Sequence, residues 1–173
     1  RILMDVDTGI DDALALVYLL SRPEVHVQAI TCTAGNVGAR QVALNNLALL
    51  ELCGITGVPV STGSEIPLSA PLRTAEDTHG PQGLGYAELP EPTAAPTSYD
   101  AAEAWVRAAH AHPGEHLQRR VPQQLLQTLL ADVPFEVDIL HHLIQHLRLP
   151  PAPSAHPLRI KERDHRKRHG QRE

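Results

Sequence analysis

The chain has 173 residues and a formal net charge of −5, with 42 % hydrophobic and 3 % aromatic residues. That is long enough for one domain whose core rests on Leu, Val, Ile and Ala, and it excludes a wholly disordered chain. The acidic balance argues against a nucleic-acid-binding body, and the basic charge gathers in residues 159–173, a stretch without interleaved aromatics that reads as a solvated terminus.

Residues 1–6 read as a strand that ends at carboxylates, and residues 12–21 as a helix that Asp11 or Asp12 could cap, with Gly9 permitting a tight turn before it. "VHVQAITCT", 25–33, alternates and then turns β-branched, which predicts a second strand. "AGN", 34–36, is a turn. "ARQVALNNLALLELCG", 39–54, is the strongest helical pattern, with Gly54 as its stop. "VPVSTG", 58–63, is a short third strand. Cys32 and Cys53 sit in apolar runs without metal-type spacing and read as buried free thiols.

Residues 64–98 are rich in Pro, Gly, Ser and Thr and read as a long loop, of the kind that covers a site. "YDAAEAWVRAAHAHPG", 99–114, returns to helix, with Asp100 as cap and Glu103 completing a capping-box pattern. Residues 122–134 and 135–149 look like two more helices, and no strand is expected after residue 63. His141, His142 and His146 fall on the second of these as surface residues, without the acidic partner of a zinc motif.

Strand–helix–strand–helix–strand predicts an α/β fold, a Rossmann-like, open and mostly parallel sheet with flanking helices. Ligands of such sheets sit beyond the carboxyl ends of the strands. Asp5 and Asp7 fall at the end of the first strand, where alternation puts them on one side, and Asn36 falls just after the second.

"DVDTGIDDALAL", 5–16, places Asp5, Asp7, Asp11 and Asp12 in eight positions. Helix-end amides satisfy one or two carboxylates, not four, and crowded like charges raise the proton affinity of one of them. A bound cation relieves the repulsion. Without Cys or His beside them, these hard oxygens select Ca²⁺ or Mg²⁺ over Zn²⁺. Two other readings stay open on residues alone. Asp11 could be a helix cap with the remaining aspartates solvated. Alternatively, Asp5 could be the nucleophile of a Mg²⁺-dependent phosphatase, with Asp7 as its acid/base partner.

The pieces "DVDTGIDDALAL" at 5–16, "AGNV" around Asn36 and "HGPQGLG" at 79–85 resemble the signature of the inosine–uridine-preferring nucleoside hydrolases. The resemblance covers about residues 1–114. It implies calcium-dependent hydrolysis of the N-glycosidic bond of ribonucleosides to ribose and base. It further implies Asp7 as calcium ligand and general base, Asp12 as calcium ligand, and Asp11 and Asn36 as ribose contacts. Asp5 would support the site, and His79 would stand on the side of the leaving base.

The family's later motifs, a "GPLTN"-like stretch and a late His–Asp pair, have no counterpart after "HAHPGE", 110–115, and Gln82 stands where an Asp is common. The resemblance therefore implies a truncated fold with impaired or absent turnover. Three parts are expected: a nucleoside hydrolase-like part at 1–114, a helical segment at 115–150, and a Pro-rich, then basic, flexible tail at 151–173. A non-catalytic fragment that binds a polyol or a partner chain is the alternative. Partners are expected to be a small nucleoside, without nucleic acid or membrane, with homo-oligomerisation open. A cytoplasmic location is expected, since no signal peptide or 18-residue apolar run is visible.

Overall fold

The computed structural model describes residues 1–114 and, as backbone, the pair 159–160. The helices expected at 122–134 and 135–149, with their histidines, and most of the tail lie outside the described residues. Three parallel strands, β1 (Ile2–Val6), β2 (Val27–Cys32) and β3 (Val60–Thr62), form a sheet in the order β1-β2-β3. Helix α1 (Ile10–Leu20) connects the first two and α2 (Ala39–Leu52) the second two. These are the crossovers that parallel pairing requires.

The register aligns the strand ends. Val6 pairs with Cys32, and Cys32 with Thr62. The loops that follow all three strands therefore leave the sheet along one edge, and it is there that the polar residues of 7–12, 34–36 and 64–79 gather.

Alternation along β1 and β2 makes two apolar faces. Met4, Val6, Ile30 and Cys32 join the larger core with Leu14, Leu16 and Val17 of α1 and Val42, Leu49 and Leu50 of α2. Leu3 and Ala29 face the other way and pack with Trp105 and Ala108 of α4 (Ala101–Ala111). Ala101, Ala104 and Ala108 bury one narrow stripe of α4, and their small side chains let the helix lie close to the sheet. Both cysteines are buried free thiols, as expected. Burial pushes each up to about 12, which leaves them unreactive.

Helix ends show what the sequence could and could not announce. Helix α2 stops where expected. Gly54 adopts φ 68°, and the amides of Gly54 and Ile55 donate back to Glu51 O and Leu50 O, the double bond of a glycine-terminated helix. Asp100 caps α4 by accepting the Glu103 amide at 2.8 Å, while the Glu103 carboxylate pairs with Arg107 rather than reaching back to complete the box. Helix α1 corrects the reading. It starts at Ile10, two residues early, with Gly9 at its cap position and no side-chain cap from that residue. Asp11 and Asp12 lie inside its first turn.

The loop after β3 is tied down at many points. Glu65 accepts the amides of Ala39 and Arg40 at 2.9 and 3.0 Å and so caps α2. Glu51 accepts the amides of Thr93 and Ala94 and the Thr93 hydroxyl, each at 2.8 Å. Thr97 donates its amide to Val60 O and shares a hydroxyl bond with Ser61. Within this stretch lie a short helix, α3 (Glu76–His79), and a two-residue strand, β4 (Ala87–Glu88), paired antiparallel with β5 (Arg159–Ile160). Two-residue strands leave no periodicity to read, which is why none was expected after residue 63.

Candidate active site at the strand ends

Three segments converge on Gly9. A Cβ built there would stand 2.6 Å from His79 Nδ1 and 2.7 Å from Asn36 Nδ2. Only a residue without a side chain fits this point, where the β1–α1 loop, the β2–α2 loop and α3 meet. Asp7 leans over the second loop. Its Oδ2 accepts the Asn36 amide at 3.1 Å, and a Cβ on Gly35 would clash with the Asp7 side chain. Two glycines thus make room for one polar cluster.

Asp12 reaches into the same cluster from the first turn of α1. Burial pushes its carboxyl up from 3.8 to about 7, reinforced by the charges of Asp11 and Asp7 and by a side-chain hydrogen bond with Asp7, and opposed by the Gly9 amide. The last of these is the half of a capping box in which the third helical residue reaches back to the cap amide. The physical content is that the pocket already holds more negative charge than its dipoles satisfy.

His79 sits at the end of α3 with Nδ1 accepting the Ile10 amide at 3.1 Å. It supplies the cap that Asp11 and Asp12 were expected to give α1. The acceptor role fixes the neutral tautomer with its proton on Nε2, the ring atom left for any further contact. The flap behind it is anchored twice. Asn45 Nδ2 donates to Gln82 O at 2.7 Å, and Leu84 is buried in the main core. Ala75 donates its amide to Asn36 O, which ties the start of α3 to the second loop.

Asp5 is held differently from the other three aspartates. Its Oδ1 accepts from the Thr31 hydroxyl at 2.7 Å, and Trp105 Nε1 donates to the same Thr31 oxygen at 3.2 Å. The bond chain runs to α4 on the second face of the sheet. Asp7, one residue past the strand, is free of the alternation that holds Asp5 and turns instead onto Gly35 and Asn36.

The donor set suits a hard cation, since carboxylate oxygens of Asp7 and Asp12 share a partly buried place with Asp11 nearby. Among the described residues, no group of three or more His, Cys, Asp or Glu side chains is arranged to hold a metal ion. The carboxylates that could take part are therefore chiefly those of Asp7 and Asp12.

Residues 2–119 match the model of the family described as inosine-uridine preferring nucleoside hydrolase. The chain belongs to that family. Among its curated relatives is the pyrimidine-specific ribonucleoside hydrolase RihA of Escherichia coli (strain SMS-3-5 / SECEC), 44 % identical over 102 residues. That alignment takes in 59 % of this chain and 33 % of the relative, so the chain spans about a third of the relative's length. The purine-preferring ribonucleoside hydrolase from Gardnerella vaginalis superposes with a TM-score of 0.63 at 28 % identity, over 66 % of this chain and 38 % of the other. A plant nucleoside hydrolase, PpNRh1, gives 0.63 at 35 % identity, over 66 % and 37 %.

The Rossmann-like sheet expected from the alternation is thereby the nucleoside hydrolase sheet. The family matched is one of nucleoside hydrolases, not of the phosphatases that the Asp5 reading would require. No helix among the described residues is long and apolar enough to cross a membrane. Of the residues singled out from the sequence, the structure brings Asp7, Asp12, Asn36 and His79 together around Gly9 with Asp11 beside them; Thr31 and Trp105 behind Asp5, and Asn45 and Asn46 behind the loops, were not singled out. Only the paired asparagines inside an apolar helix, "ALNNLALL", carried a signal, since buried amides must have partners.

Proposed function

We propose that this chain carries the ribose-side half of a nucleoside N-glycosidase site, acting on a ribonucleoside and water to give ribose and free base. The observation that carries the reading is the convergence of Asp7, Asn36 and His79 around Gly9 at the strand ends, with Asp12 beside Asp7. Membership of the family supplies the reaction class.

In this reading Asp7 and Asp12 would hold Ca²⁺, which supplies a Lewis acid that eases proton loss from water and binds paired hydroxyls. Asp7 takes the proton of the attacking water as its oxygen bonds to the anomeric carbon. The carbon–nitrogen bond breaks as that bond forms, its electron pair leaves with the base, and the base takes up a proton from solvent while Asp7 returns its own. Asp11 and Asn36 hold ribose hydroxyls and so fix the sugar against Asp7. The carboxylates favour the positive charge that develops on the ribose. His79 stands beside Gly9 with Nε2 as its remaining proton-bearing atom, suited to contact the leaving base. Asp5, locked by Thr31, supports the end of β1.

Calcium takes six to eight oxygens, and the residues described bring few of them. This chain is therefore proposed to bind the ion weakly and to turn over slowly or not at all by itself. The test is a thermal melt of the purified chain with calcium and with a chelator, followed by a reducing-sugar assay on purine and pyrimidine ribonucleosides. A ligand of the folded state raises the melting temperature. A calcium-dependent rise with ribose release supports the reading. A cooperative melt indifferent to calcium, without ribose release, supports the alternative of a non-catalytic fragment that binds a polyol or a partner chain.

A further inference from the structure

Asn45 and Asn46, consecutive on α2, are 4 % and 1 % exposed. A buried amide without partners is costly, so the partners show what the burial serves. Asn46 Nδ2 lies 2.9 Å from Val42 O, one turn back on its own helix, and 3.6 Å from Cys32 Sγ. Its shortest contact is long-range, 2.7 Å to Thr8 Oγ1. Thr8 is fully buried and stands between Asp7 and Gly9. The flap closes on the same residue, since a Cβ on Gly83 would come within 3.0 Å of Thr8 O. Asn45 serves the flap directly, donating to Gln82 O while accepting from Gln41.

We infer that Asn46 is a positioning residue for the carboxylate cluster, acting through the Thr8 hydroxyl to fix the loop that carries Asp7 against the second loop. The role rests on the reading of Asp7 as a site residue. The loop 7–9 has a glycine at one end and a strand end at the other. Its middle residue, fully buried, is the point at which α2 grips it by a side chain. With Thr8 held, the Asp7 carboxylate stays over Gly35 and accepts the Asn36 amide. With Thr8 released, the carboxylate gains rotational freedom and that bond opens more often.

The Asn36 amide is therefore a direct reporter of Asp7. Its hydrogen exchange is measured by NMR in the whole chain without metal, beside the Ile30 amide, which donates to Pro59 O in the core of the sheet. Thr8→Val keeps the shape and removes the hydroxyl. Loss of one buried hydrogen bond predicts a fall of about tenfold in Asn36 protection relative to Ile30. Thr8→Ser restores the hydroxyl and the protection. Asn46→Ala reproduces the loss and adds little when combined with Thr8→Val. A fall shared equally by Ile30 would mark general destabilisation and overturn the role, and so would Thr8→Ser behaving as Thr8→Val. Should Asn46→Ala fail to fold, the valine and serine variants decide alone. Calcium titration of the same proteins keeps the two readings apart. Wild-type protein that ignores calcium sinks the cation reading and leaves the amide result standing. Calcium binding with unchanged Asn36 protection in Thr8→Val sinks the positioning role.

Discussion

His79 Nδ1 accepts the backbone amide of Ile10 at 3.1 Å, a bond between residues 69 apart. It ties the wall carrying His79 to the first turn of the helix that carries Asp11 and Asp12. An acceptor at a helix N-terminus contributes on the order of 1 kcal/mol. Replacing His79 with Ala is expected to lower stability in urea by about that amount, since His79 is the acceptor of this amide among the described residues. Asn at 79 carries its Oδ1 on Cγ, where His79 carries Nδ1, and is expected to keep the bond. A His79→Ala protein as stable as wild type would show that the bond contributes nothing in solution.

Asp12 sets a pH dependence of unusual sign. Its carboxyl is raised from 3.8 to about 7 in the folded chain by burial, then by the charges of Asp11 and Asp7. The folded state therefore binds the proton more tightly than the unfolded state does. Stability from this group is fully present below pH 4 and is lost as pH rises through about 7. In chelated protein, Asp12→Asn is expected to be less sensitive than wild type to a shift from pH 5 to pH 8, as read from melting temperatures. Calcium, if bound by these carboxylates, works in the opposite direction and raises stability most above pH 7. Parallel pH profiles for the two proteins would remove Asp12 from the account.

The calcium reading stands on Asp7. Asp7→Asn keeps an acceptor for the Asn36 amide while removing the charge and the proton-accepting oxygen. The variant is expected to fold, to lose most of any calcium-dependent rise in melting temperature, and to lose ribose release by at least a hundredfold, the usual scale for a general base. Ribose release unchanged in Asp7→Asn would overturn the assigned base and the metal ligand together.

What the sequence made legible follows from range. The alternation of strand and helix over residues 1–63 is written in local periodicity, so β1, α1, β2, α2 and β3 were expected within a few residues of their ends. The Gly54 stop and the Asp100 cap are local too. The aspartate cluster was legible because like charges in a short span demand an explanation. The caps on α1 and α2 were not, because His79 and Glu65 come from 69 and 26 residues away. Asp5 looked like its neighbours in sequence, but the strand's alternation gave it to Thr31 and Trp105.

Glycines separate the cost of backbone strain from the cost of a filled site. Gly57 has φ +82° and nothing within 4 Å of an added Cβ, so Gly57→Ala meets only the left-handed backbone penalty. That penalty is about 1 kcal/mol, and any response to calcium should be retained. Gly35 presents no positive φ, but an added Cβ there runs into the Asp7 side chain. Gly35→Ala must push Asp7 off the Asn36 amide. It is expected to abolish the calcium response and to deprotect the Asn36 amide, with the β2 and α2 amides exchanging at near wild-type rates. The two alanine variants, compared by melting temperature with and without calcium, test whether Asp7 needs the room that Gly35 leaves. Equal calcium responses in both would mean that Asp7 moves aside without consequence and is no part of a cation site.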